Sequence, residues 1–275
     1  MQNSYDILII DDEQVVIDSI KLVAKSLGYS TDYVTDASMA FYSILNNNYK
    51  IVICDIMMPV MDGFEFLKEM KKQNIKIPVI MTTGYTTIEN AAKSLNNGAI
   101  AFIPKPFTFD EVAAIITRCI NYCNIMDKCK DEKETEIYFV PCPPKYLRLG
   151  YGFWSNRLND GSVLLGVSDL FVKSIISSKK IELSDVGSVV SQSLPCAKIT
   201  GENDFIHNIL AALSGKIIEK NETLISNPLI LEKDPYFTGW LYKIIPAEYN
   251  SEIRYLTNCE RSEEHTSELQ SRQVI

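Results

Sequence analysis

Alternation constrains this chain most. Over the first 125 residues, five short apolar runs (5–10, 31–35, 51–55, 78–81 and 99–103) are separated by segments whose apolar residues recur at helical spacing. The first such segment carries Val16, Ile20, Val23 and Leu27 and stops at Gly28. Others span 37–45, 64–73 and 86–96, and a last helix starts near Thr108 with Asp110 and Glu111 in its first turn. Helices between successive strands give each strand a crossover, which parallel pairing requires. The pattern predicts an α/β domain: a five-stranded, doubly wound parallel sheet covered on both faces.

In such a fold, ligands bind at the carboxyl ends of the strands. The first run ends in Asp11 and Asp12, the third breaks at Asp55 before Pro59 and Asp62-Gly63, the fourth ends in Thr82-Thr83, and Lys105 follows the fifth. Each has an ordinary reading alone: Asp11 or Asp12 as a helix cap, Asp55 or Thr83 as a turn residue, Lys105 as a solvated loop lysine. Together they place three acids, a hydroxyl and a lysine in one small area. Carboxylates that close repel, and a hard divalent cation such as Mg²⁺ relieves the repulsion. Asp55 then suits a nucleophile toward a phosphoryl group, with the metal and Lys105 offsetting charge on its oxygens and Thr83 donating a hydrogen bond.

The motifs Ile9-Ile10-Asp11-Asp12-Glu13, Asp55-Ile56-Met57-Met58-Pro59 with Met61-Asp62-Gly63, Met81-Thr82-Thr83-Gly84, and Phe102-Ile103-Pro104-Lys105-Pro106-Phe107 fall in order across residues 1–125. This stretch resembles the receiver domain of bacterial two-component response regulators. The resemblance implies that Asp55 accepts phosphate from a sensor histidine kinase. It implies that Asp11, Asp12, Asp55 and the Met57 carbonyl bind Mg²⁺, and that Thr83 and Lys105 hold the phosphoryl oxygens. Phe102 is then the aromatic that follows phosphorylation, and the fourth helix, fifth strand and fifth helix form the face for partners or a homodimer. Met57 and Tyr85 are bulkier and less polar than a residue that aligns an attacking water, which predicts slow autodephosphorylation, with a lifetime longer than seconds.

Charge narrows the partners. Net charge is −8, and residues 1–125 carry 10 basic and 14 acidic side chains against 12 and 13 in 138–260. Neither half has the basic field that nucleic-acid binding requires. No apolar stretch is long enough to span a bilayer and residues 1–5 open no signal peptide, so the sequence predicts a cytoplasmic protein without a membrane partner. Seven cysteines at irregular spacing do not form a disulfide framework. Cys119, Cys123 and Cys129 lack a CxxC pair or nearby His, and reduced, mostly buried thiols are expected rather than a metal site.

Residues 126–137 read as a helical, charged linker, a solvated helix end or linker without apolar periodicity, and Pro141-Cys142-Pro143-Pro144 ends any helix there. Residues 138–260 read as a small β-rich barrel or sandwich. Asn159-Asp160-Gly161 marks a hairpin, 168–177 a short helix, and 181–183, 189–191, 197–200, 211–219 and 240–245 strands, with turns at Gly187 and Gly215. Leu213-Ser214-Gly215-Lys216-Ile217-Ile218-Glu219, Asn227-Pro228-Leu229-Ile230, Asp234-Pro235-Tyr236 and Gly239-Trp240-Leu241-Tyr242-Lys243-Ile244 resemble the H-protein of the glycine cleavage system, a lipoyl-domain relative. Weaker likenesses are Asp160-Gly161 with Gly166-Val167-Ser168-Asp169, and Asp185-Val186-Gly187.

That family carries its lipoyl lysine on a hairpin tip about eleven residues before the Ser-Gly pair. Counting back from Ser214-Gly215 reaches Asp204, and Lys198 lies in the preceding strand pattern. An acid has no amine to acylate, so no lipoate is expected. His207 on the same hairpin reads as a surface histidine. Residues 261–275 match neither family and resemble a translated sequencing adapter, so they are set aside as a non-native tail.

The leading expectation is a signalling protein rather than an enzyme: a phosphorelay response regulator with a non-lipoylated H-protein-like output or docking domain that has its own protein partner. The alternative is a receiver-regulated lipoyl or acyl carrier of a glycine-cleavage-type system.

Overall fold

The computed structural model describes residues 3–84, 88–129 and 137–259. The chain divides into two compact units that meet between Cys123 and Asn124. Tyr85, most of the charged linker and the tail at 261–275 lie outside the described residues.

The first unit runs β1 (Asn3–Ile10), α1 (Gln14–Ser26), β2 (Thr31–Val34), α2 (Ala37–Asn46), β3 (Asn47–Asp55), α3 (Gly63–Lys72), β4 (Val79–Thr83), α4 (Ile88–Asn96), β5 (Ala101–Pro104) and α5 (Phe109–Lys128), with the division between units falling inside α5. The sheet order is β2-β1-β3-β4-β5 and every pair is parallel. The order reverses between β1 and β3, which places a switch point where those two strands end.

Packing follows the sequence pattern. Ile7 to Ile10 and Ile51 to Cys54 are buried, as strands covered on both faces demand. Helix α1 buries Ile17, Ile20, Val23 and Ala24 and ends ahead of Gly28 at φ +82°, a conformation glycine reaches without strain. Asp62 caps α3 in a capping box with Glu65, and Thr108 and Glu111 exchange bonds of 2.8 and 3.3 Å at the start of α5. Strand β3 begins four residues earlier than its apolar run, because Asn47, Asn48 and Tyr49 pair with Asn3, Ser4 and Tyr5. Cys119 and Cys123 are buried on α5, the latter with its Sγ 3.6 Å from the Lys50 carbonyl.

The second unit is antiparallel and β-rich. It runs β6 (Leu147–Leu149), β7 (Phe153–Arg157), β8 (Val163–Val167), α6 (Asp169–Ser174), β9 (Ser178–Leu183), β10 (Val189–Val190), β11 (Pro195–Gly201), β12 (Ile206–Leu210), β13 (Gly215–Lys220), α7 (Thr223–Ser226), α8 (Ile230–Lys233), β14 (Tyr242–Pro246), α9 (Tyr249–Glu252) and β15 (Thr257–Asn258). One sheet has the order β10-β13-β14-β8-β7-β6-β15 and the other β12-β11-β9, neither closed on itself among the described residues. Trp154 anchors this unit: it is fully buried among Tyr146, Tyr236, Cys142 and Cys259, and its indole N–H donates to the Val167 carbonyl at 2.8 Å. Gly166 lies so close against that ring that a Cβ there would overlap it. The β7–β8 hairpin turns through Gly161 at φ +84°. Beside it, the Ser162 hydroxyl, the Lys243 ammonium and the Ser162 N–H pull the Asp160 carboxyl down to about 2.

Three expectations for this unit change. Residues 211–219 are not one strand: Ser214 breaks them by donating its N–H to Glu252 at 2.7 Å and accepting from the Gln192 N–H at 2.8 Å. Gly215 is not a turn residue but the first residue of β13, packed against the Ile245 carbonyl where no side chain fits. His207 is not on the surface. It lies on β12 opposite Ile199 and is buried, because alternation turns it and Ile209 inward.

Candidate active site

Four strand ends of the first unit supply the site. Parallel register sets Ile10 opposite Cys54 and Asp55 opposite Thr82, so the loop after β1 and the ends of β3 and β4 lie side by side. Thr83 pairs with Pro104, and its carbonyl accepts the Lys105 N–H at 2.8 Å, which carries Lys105 back toward the acids. The Lys105 ammonium lies 2.9 Å from Asp11 Oδ2, 2.9 Å from Asp55 Oδ1 and 3.2 Å from Glu13 Oε1.

Asp11 and Asp55 are only 1% and 3% exposed. Asp55 Oδ1 also accepts from the Thr82 hydroxyl at 3.3 Å, and Oδ2 from the Met57 N–H at 2.7 Å. Burial pushes the Asp11 carboxyl above the ordinary aspartate value, against the opposing bonds from Lys105 and the Glu13 N–H. Burial alone would lower the Lys105 ammonium, but its hydrogen bonds to Asp11 and Asp55 outweigh this and hold it above the ordinary lysine value.

That donor set fits a hard divalent cation, since two buried carboxylates and an exposed third, Asp12, offer only oxygens. Among the described residues no three acid, His or Cys side chains converge closely enough to hold an ion by themselves, and Lys105 stands between Asp11 and Asp55. Gly63 completes the backbone: its N–H donates to the Ile56 carbonyl at 3.0 Å, and a Cβ there would sit 2.5 Å from the Asp55 carbonyl oxygen. Phe102 is partly buried against the core, beside Met81 in the β4–β5 register.

The structure therefore brings Asp11, Asp55 and Lys105 together, sets Asp12 at the exposed rim and uses the Met57 N–H on Asp55. The sequence predicts Thr83 as the hydroxyl for the phosphoryl oxygens and assigns no role to Thr82, which meets the Asp55 carboxylate itself, or to Glu13, which meets Lys105. Register was the missing signal, because neighbouring strand residues face opposite ways and only pairing with Asp55 tells which threonine meets it.

A family model for the response regulator receiver domain matches residues 7–117. Residues 7–117 are a response regulator receiver domain. The receiver is 30% identical over 125 residues to the transcriptional regulatory protein ZraR of Escherichia coli O157:H7, covering 46% of this chain and 28% of that protein. It is also similar to the receiver domain of NtrX from Brucella abortus, at 33% identity over 42% of this chain and 98% of that one, TM-score 0.40. The chain thus spans little more than a quarter of ZraR's length. A second model, glycine cleavage H-protein, matches residues 146–269, and its range enters the tail beyond the described residues. A glycine cleavage system H protein from Mycobacterium marinum is similar at 25% identity over 38% of this chain and 86% of that one, TM-score 0.36. The receiver is thus joined to an H-protein-like, antiparallel β-rich domain. No described helix is long and apolar enough to cross a membrane.

Proposed function

We propose that this response regulator takes a phosphoryl group on Asp55 from the phosphohistidine of a sensor kinase and signals through a non-lipoylated H-protein-like domain. One observation carries the reading: two buried carboxylates, Asp11 and Asp55, share a single lysine at 2.9 Å each. In the transfer, an Asp55 oxygen forms the new P–O bond as the P–N bond to the imidazole breaks. The Met57 N–H and the Thr82 hydroxyl hold the carboxylate plane while it attacks. Lys105, already among acids, moves from carboxylate to phosphoryl oxygens and offsets their charge. Mg²⁺ held by Asp11, Asp12, Asp55 and the Met57 carbonyl supplies further charge compensation when bound.

Thr83 and Phe102 are the switch pair in this reading. New bonds from Thr83 and Lys105 to the phosphoryl group bias the face of α4, β5 and α5 toward a partner or a second copy. Met57, half exposed beside Asp55, leaves little to align an attacking water, which fits slow autodephosphorylation. The test is labelling of the full chain by a small phosphodonor such as acetyl phosphate. Label is expected with Mg²⁺, lost with a chelator and abolished by Asp55→Asn. Undiminished label on that variant would reject Asp55 as the acceptor.

In the second domain, Asp204 stands at φ +61° in the loop between β11 and β12, where a lipoyl lysine is expected by resemblance. The Lys179 ammonium from β9 reaches it at 3.0 Å, while Lys198 lies within β11, opposite Glu182. We therefore expect the intact mass to stay unchanged after co-expression with a lipoyl ligase and lipoate. A gain of one lipoyl group would turn the reading to the receiver-regulated carrier, and Lys179 would be the first acceptor to examine.

A further inference from the structure

We propose that Thr82 is a positioning residue for the phospho-acceptor, acting through Asp55 rather than on the incoming group. This rests on the reading of Asp55 as the acceptor. Thr82 stands directly opposite Asp55 in the β3–β4 register, and its carbonyl accepts the Ile56 N–H at 2.8 Å, so the two residues are fixed to each other by backbone. Its fully buried hydroxyl follows the apolar residues Val79, Ile80 and Met81 in β4. A buried hydroxyl is costly without an acceptor, and Asp55 Oδ1 at 3.3 Å provides one.

The consequence concerns orientation. The terminal torsion of an aspartate is broad, so its carboxylate plane is set by whatever bonds its two oxygens. Oδ2 is held by the Met57 N–H, and Oδ1 by Lys105 and Thr82. Lys105 is shared with Asp11 and Glu13 and is the donor that phosphoryl oxygens draw away. Thr82 then remains on Oδ1 through the transfer, keeping the attacking carboxylate aligned.

The experiment compares acetyl phosphate labelling rates in Mg²⁺ for the full chain, Thr82→Val, Thr82→Ser and Thr82→Ala. The valine variant should lower the maximal rate about tenfold, the size of one lost hydrogen bond to a charged group. The half-saturating donor concentration should move little, and serine should restore the rate to within about twofold of the parent. Where the valine variant melts early, the alanine and serine pair isolates the hydroxyl in its place. A hydroxyl-free variant that labels at the parent rate overturns the proposal, as does a serine variant as slow as valine. A parent chain that takes no label overturns the Asp55 reading and this inference with it.

Discussion

Replacing Lys105 by methionine should lower the stability of the receiver by about 3 kcal/mol at neutral pH in metal-free buffer, the low end of the cost of unpairing buried charge. Lys105 is the cation between two carboxylates that are almost wholly removed from water, and its own side chain is 12% exposed. Without it Asp11 and Asp55 face each other, and Glu13, more exposed, adds a third acid. The same loss should make the receiver more dependent on Mg²⁺. A cation that binds the folded site stabilises it by mass action, about 2.7 kcal/mol at a hundred times the dissociation constant. Hydrogen exchange across β1 and β3 reads this domain within the intact chain. Faster exchange in chelator, largely reversed by Mg²⁺, is expected for Lys105→Met. Exchange equal to that of the parent in chelator would mean the ion pairs do not support the fold.

The second large effect is expected from Gly63→Ala, at about 3 kcal/mol, the upper part of the usual range for forced overpacking. The added methyl would lie 2.5 Å from the Asp55 carbonyl oxygen, 2.5 Å from Met81 Cε and 2.9 Å from Ile56 Cα. Met81 can swing its terminal methyl aside, but the two backbone atoms cannot yield without moving β3 or α3. Because the Gly63 N–H also holds the Ile56 carbonyl, the loop bearing the Met57 N–H should shift with it. Phosphodonor labelling should therefore fall together with the denaturation midpoint. A stable, fully labelled alanine variant would show that the loop has room that the close approach denies.

How far the chain could be read depended on whether a residue's role was local. Asp55 was legible because a single acid ends an apolar run, and Lys105 because it follows another in a doubly wound pattern. Asn47 to Tyr49 were not legible as strand, since their polar side chains sit where β1 also begins with polar residues. Thr82 and Thr83 are adjacent and alike, so only the pairing of β3 with β4 separates them. Glycine misled in the second domain. Gly187 and Gly161 do turn the chain at positive φ, whereas Gly215 looks the same in sequence and is needed for a close strand contact. His207 was misplaced for a similar reason: its orientation follows from pairing with Ile199, which no short pattern encodes.

The receiver identity rests on its family match, whereas the role of Asp55 rests on geometry around one carboxylate. Borohydride reduction of the phosphodonor-treated chain, followed by peptide mapping, tests that role most directly, because reduction converts an aspartyl phosphate to homoserine. The expected result is homoserine in place of the Asp55 side chain, dependent on Mg²⁺, with Asp11 and Asp12 unchanged. Homoserine at Asp11 or Asp12, or at none of the three in a chain that carries label, would contradict the account.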